Sequence, residues 1–180
     1  MLVVVHFMLI SFYIIEAIVH GFLPKYVQSL KYFRILLPGV AITACVSSIV
    51  FNYYKATRDI GLYLKNGCIS LVLSFIVDLV IYEIFRSVTS MAVASLLELL
   101  LWFSLEDYSY RKQYNLNGNK NLTYIILMIT IFEITSGILN MFISLVSYII
   151  LYGLLSVIIE RNTLTSLFIM FKNLKAHGKI

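Results

Sequence analysis

LTYIILMITIFEITSGILNMFISLVSYIILYGLLSVII, residues 122–159, is an apolar run of 38 residues with one charge, Glu133. As a single helix rising 1.5 Å per residue it would extend roughly 57 Å, about twice the hydrocarbon thickness of a bilayer. It therefore predicts a helical hairpin, 122–139 and 142–159. The chain reverses at Ser136-Gly137 and Asn140, the residues here best suited to interrupt a helix. An isolated open strand is excluded, because lipid offers nothing to satisfy its free backbone groups.

Working toward the N-terminus, four more stretches have the length and apolarity of spans: 88–105, 64–85, 33–53 and 2–20. Gly21 and Pro24 close the first. Met1 to Val19 lacks a basic leader and a small-residue cleavage site, so it reads as a span rather than a signal peptide. The only long hydrophilic loop is 106–121. The fold expectation is all-α: a polytopic membrane bundle of about six helices over 1–160, followed by a basic, partly amphipathic tail at 161–180. Composition agrees. Of 180 residues 61% are apolar and 13% charged, against about 45–50% and about 25% in soluble domains. A soluble enzyme, a disordered segment and a nucleic-acid-binding domain are excluded on this ground. Cys45 and Cys68 lie in apolar segments and read as small packing residues rather than a disulfide or metal pair.

The 14 Lys and Arg residues set the expected orientation. With six spans, ten cations fall on the side of the termini: Lys55, Arg58, Lys65, Arg111, Lys112, Lys120, Arg161, Lys172, Lys175 and Lys179. Four fall opposite: Lys25, Lys31, Arg34 and Arg86. This bias predicts a plasma (inner) membrane protein with both termini cytoplasmic. If 122–159 crossed only once, the bias would shrink to six against eight.

Acids at membrane depth are costly and usually face a protein interior or a wet cavity. Asp78, Glu98 and Glu133 are the main candidates for an ion or proton path, with Glu16 nearer an interface. Asp78 and Glu98 have no cation three or four residues away, so each needs a partner on another helix, a proton or water. The alternative for each is an interhelical hydrogen bond. No H-E-x-x-H, G-x-S-x-G or phosphate-loop lysine motif occurs, so no catalytic constellation, metal or cofactor is indicated. Tyr53-Tyr54, Trp102 and Tyr108–Tyr110 read as interface aromatics. Pro38-Gly39 marks either a broken helix or a kink inside the second span.

The order of short motifs resembles a known family. Gly21-Phe22-Leu23-Pro24-Lys25-Tyr26 precedes Phe33-Arg34-Ile35-Leu36-Leu37-Pro38-Gly39-Val40. Asn52-Tyr53-Tyr54-Lys55-Ala56, Gly61-Leu62-Tyr63-Leu64-Lys65 and Ala92-Val93-Ala94-Ser95 follow. The arrangement resembles the C-terminal half of bacterial polysaccharide flippases, the O-antigen and capsule repeat-unit exporters of the multidrug/oligosaccharidyl-lipid/polysaccharide exporter superfamily. Ser87 and Ser90 stand where that family usually has glycines, and Asp78 where Asn is common. The resemblance implies a lobe of a two-lobe flippase acting on lipid-linked oligosaccharide. Arg34 or Lys55 would meet the pyrophosphate, and Asp78, Glu98 and Glu133 would couple to an ion gradient. One bundle rather than two implies a truncated or half-length form that works with a second transporter half or a second copy. The rival expectations are a multidrug/cation antiporter fragment and a non-transporting accessory subunit of glycan assembly.

Overall fold

The computed structural model describes residues 2–115, 120–138 and 140–159. The basic tail at 161–180 lies outside the described residues, as do 116–119 and Leu139, the expected last residue of the span that begins at 122. Among the described residues there are helices and no strand. Five of the described helical rods are long and apolar enough to cross a bilayer, which marks the chain as a membrane protein. A sixth, apolar over Asn121–Gly137, is shorter. The chain divides into two compact units, Met1–Leu122 and Thr123–Ile180.

In the first unit α1 spans Leu2–Phe22. Proline, with no N–H to donate and φ preset, then opens a 3₁₀ turn at Pro24–Ser29. That turn leads without a break into α2, Leu30–Cys45. Pro38 sits inside α2 and does not end it. The irregular turn comes later, a π turn at Val46–Val50 that joins α2 to α3, Phe51–Ala56. Hydroxyls brace the backbone leading into this wider turn: Thr43 donates to the Gly39 carbonyl at 3.0 Å and Ser47 to that of Thr43 at 2.9 Å. Pro24–Ala56 is thus one rod. Arg58, at φ 63°, ends it in the left-handed region, with Asp59 N–H bonded to the Tyr54 carbonyl at 2.9 Å.

Next come α4, Ile60–Phe85, and α5, Val88–Gln113. They are joined by left-handed Arg86 (φ 44°) and extended Ser87, and so short a link makes them neighbours. The Ser87 carbonyl accepts from Met91 N–H at 3.1 Å and Ser90 Oγ at 2.7 Å, closing the first turn of α5. α5 continues two turns beyond the expected end at 105. The Asp107–Arg111 ion pair, one turn apart at 2.6 Å, supports that extension. Residues 106–113, read as loop, are therefore helix.

Packing follows the order α1 on α2, α2 on α5, α5 on α4, with α3 also against α4. The α2–α5 crossing is close because Gly39 has no side chain: a Cβ there would lie 2.7 Å from Leu99 Cδ1. Ala41, Ala92 and Ala94, each buried, are the small residues that such crossings use in lipid. α4 turns large apolar groups outward, with Leu71 at 71% and Phe75 at 64% exposure. Such a surface suits lipid rather than water. Cys45 is buried as expected of a packing residue, whereas Cys68 is exposed on α4.

The second unit holds α6, Lys120–Ile138, from Thr123 onward, and α7, Met141–Ile159, which run antiparallel. Ser144 Oγ donates to the Thr135 carbonyl at 2.8 Å near the reversal. Phe132 and Tyr148 meet edge to face with centroids 6.0 Å apart, and Tyr124 and Ser156 share a hydrogen bond of 3.2 Å at the far end.

The Gly39 contact predicts a specific mutational pattern. Gly39→Leu should lower the thermal midpoint in detergent, by about 1–3 kcal/mol of overpacking. Gly39→Ala should cost little, because Leu99 can turn away. Adding Leu99→Ala to Gly39→Leu should restore much of the loss, and an equal loss with and without Leu99→Ala would contradict the close crossing.

Candidate functional site

α4 carries Asn66, Ser70, Ser74 and Asp78 at intervals of four, one face of a helix. α5 carries Glu98, Trp102 and Glu106 at the same interval. The two faces meet in antiparallel register, so each step of four up α4 is answered by a step of four down α5. Three observations fix this register. Asn66 Nδ2 donates to Glu106 Oε2 at 3.2 Å. Ser74 and Glu98 line the same cavity, and Asp78 lies close enough to Glu98 to act on it electrostatically. Beyond the helix ends, Gln113 Nε2 donates to Asp59 Oδ2 at 3.0 Å.

Glu106 is the most enclosed member, with 0% exposure. Its second oxygen accepts from Trp102 Nε1 at 3.2 Å, and its backbone carbonyl accepts from Tyr54 O–H at 3.0 Å. A buried carboxyl with both oxygens hydrogen-bonded is a structural knot rather than a reactive group. The same contacts turn Tyr54 and Trp102 inward. Tyr54 is fully buried and touches Tyr63 and Tyr110, while Tyr63 also meets Trp102. The two rings are thus parts of the seam rather than free interface aromatics.

Toward the middle of the bundle the seam changes character. Ser70 is nine-tenths buried, and its Oγ has no partner among the described residues. Asp78 Oδ1 and Glu98 Oε1 are likewise buried atoms without a donor. Two ionised carboxylates offer each other only acceptors, so the pair lacks a donor that a proton or a cation would supply. Beside it lies a cavity of about 330 Å³ lined by Gly67, Ser70, Ser74, Glu98 and Trp102 together with Leu71 and Leu99. The arrangement can hold a positively charged or hydrogen-donating species against one wall of apolar side chains. Among the described residues no three His, Cys, Asp or Glu side chains gather as a metal centre would need.

Of the six candidates read from the sequence, Asp78 and Glu98 come together. Glu16 on α1 lies within electrostatic range of His20, one turn on, and of Arg34 on α2, away from the seam. Lys55 is exposed at the end of α3, its Nζ 6.0 Å from the Phe51 ring. Glu133 belongs to α6 in the second unit. Sequence reading missed Glu106, assigned to a loop, and Asn66. The signal that exposes both is the interval of four shared by the two polar faces. Outside the spans, the Asp59 carboxylate that accepts from the Tyr114 phenol pushes the ionisation of Tyr114 above its usual value, partly offset by Thr57.

No protein-family model, no curated protein and no solved structure matches this chain.

The Glu106 knot predicts non-additive mutations. Glu106→Leu strands Asn66 Nδ2 and Trp102 Nε1 and should cost about 1–3 kcal/mol of stability, with a shift in Trp102 emission. Asn66→Leu/Glu106→Leu together should cost clearly less than the sum of the single changes. Thermal unfolding in detergent measures all three, and strict additivity would refute the bond.

Proposed function

We propose that this chain is one lobe of a polysaccharide repeat-unit flippase in the inner membrane, with both termini cytoplasmic. It would move an undecaprenyl-pyrophosphate-linked oligosaccharide to the outer leaflet, working against a second transporter half or a second copy, since alternating access needs one lobe rocking on another. The resemblance in motif order supports the family, and the Asp78–Glu98 pair beside a cavity at membrane depth carries the transport reading. Paired carboxyls short of a donor respond to protons or cations, which is what coupling to a gradient requires. In this role Arg34 or Lys55 meets the pyrophosphate, and the Glu106 knot keeps α4 and α5 in register.

The same pair favours one rival, a cation antiporter, because a carboxylate beside the Trp102 ring and apolar walls also suits an organic cation. One set of strains separates the readings. Asp78→Asn and Glu98→Gln, made in the host with protein levels unchanged, should reduce surface glycan at least about tenfold, a loss of roughly 1.4 kcal/mol in transport free energy, and leave the lipid-linked precursor in the cytoplasmic leaflet. Unchanged glycan with lost efflux of a cationic dye would replace the proposal by antiport. No change in either would leave an accessory subunit.

A further inference from the structure

The α4–α5 pair is electrically lopsided. At one end, α3, the start of α4 and the end of α5 converge, held by the Asp59–Gln113 bond and by the stacked rings of Tyr53 and Tyr110, 5.6 Å apart. This convergence gathers Lys55, Arg58, Lys65, Arg111 and Lys112. Three acids share the end, and all are engaged: Asp107 by Arg111 at 2.6 Å, Asp59 by Gln113 and Tyr114, and buried Glu106 by Asn66 and Trp102. Lys55, Arg58, Lys65 and Lys112 are exposed and form no ion pair among the described residues. At the other end of the pair, Arg86 is matched by Glu83 at 3.3 Å, leaving no net charge from the two.

Arg58 adds an independent observation. Its backbone is left-handed, the conformation for which helix ends ordinarily use glycine. A bulky residue there costs stability, so its side chain is the part with something to offer. Arg86 is left-handed too, but its guanidinium is taken up by Glu83. Arg58 has no such partner among the described residues. The stacked tyrosines at the same end, Tyr53 and Tyr110, are of the kind that settles at headgroup level.

We infer that this end of the first unit is a seat for an anionic phospholipid, its phosphate held by Arg58 with Lys55 and Lys112 around it. The ligand chemistry is a phosphate ester at the membrane surface, and the occupant is a bilayer lipid such as phosphatidylglycerol. The inference shares Lys55 with the proposed function but uses none of the seam acids, and its lipid-retention readout requires no transport.

The test is lipid retention by the purified full chain, read by native mass spectrometry after exchange into phosphatidylcholine nanodiscs with and without phosphatidylglycerol. Phosphatidylglycerol should be kept in preference to phosphatidylcholine, and each cation removed should weaken retention about fivefold. Arg58→Gly is the informative variant: it should lose retention while its thermal midpoint in neutral lipid holds or rises. Lys55→Gln and Lys112→Gln should act in the same direction, and millimolar inorganic phosphate should not displace the lipid. Equal retention of the two lipids, undiminished retention in Arg58→Gly, or displacement by free phosphate would each overturn the assignment.

Discussion

Glu106 is a carboxyl with no exposed surface, in a helix whose length and composition suit lipid. Such a group survives only when its oxygens are satisfied from nearby, and satisfying them dictates geometry. Trp102, one turn back on the same helix, meets one oxygen, and Asn66 on α4 meets the other. Those bonds choose a single register for α4 against α5 out of the many that apolar side chains alone would allow, as a buried polar group does in other helix pairs. The close α2–α5 crossing at Gly39 then attaches that pair to the rest of the first unit.

With the register fixed by Glu106, the residues further along follow. Ser70, Ser74 and Asp78 are carried onto the α5 face that holds Glu98, and neither acid has a cation one turn away on its own helix to neutralise it. The satisfied and unsatisfied parts of the seam are therefore two consequences of one stripe. One end is closed by amide and indole donors and works as a latch. The middle is short of donors and borders a cavity. This division separates what holds the helices together from what is free to bind.

Much of the architecture was legible because bilayer thickness is a hard length scale. A 38-residue apolar run has to fold back, and Pro24 and Asn140 stand between helices, whereas Gly21, Pro38, Gly39 and Gly137 lie within them. The extent of α5 was not legible by polarity alone. Glu106, Asp107 and Arg111 look like loop residues until their partners are known, since a Glu bonded to Trp102 and an Asp paired with Arg111 are helix-compatible. The meeting of Asp78 with Glu98 depends on register, which composition does not encode, although the shared interval of four does. Arg34 and Lys55 carry the right charge for phosphate, but charge type does not say which end of the bundle a residue occupies. That required the turns at Arg58 and Arg86.

The most direct measurement is oxidative cross-linking across α4 and α5 in carbonate-washed membranes, using a chain freed of Cys45 and Cys68. Ser74→Cys with Glu98→Cys should form a disulfide efficiently, while Leu73→Cys with Glu98→Cys, shifted by one residue and thus to another helix face, should not. Equal cross-linking of both pairs, or a protein extracted by the carbonate wash, would contradict a membrane-embedded seam with one fixed register.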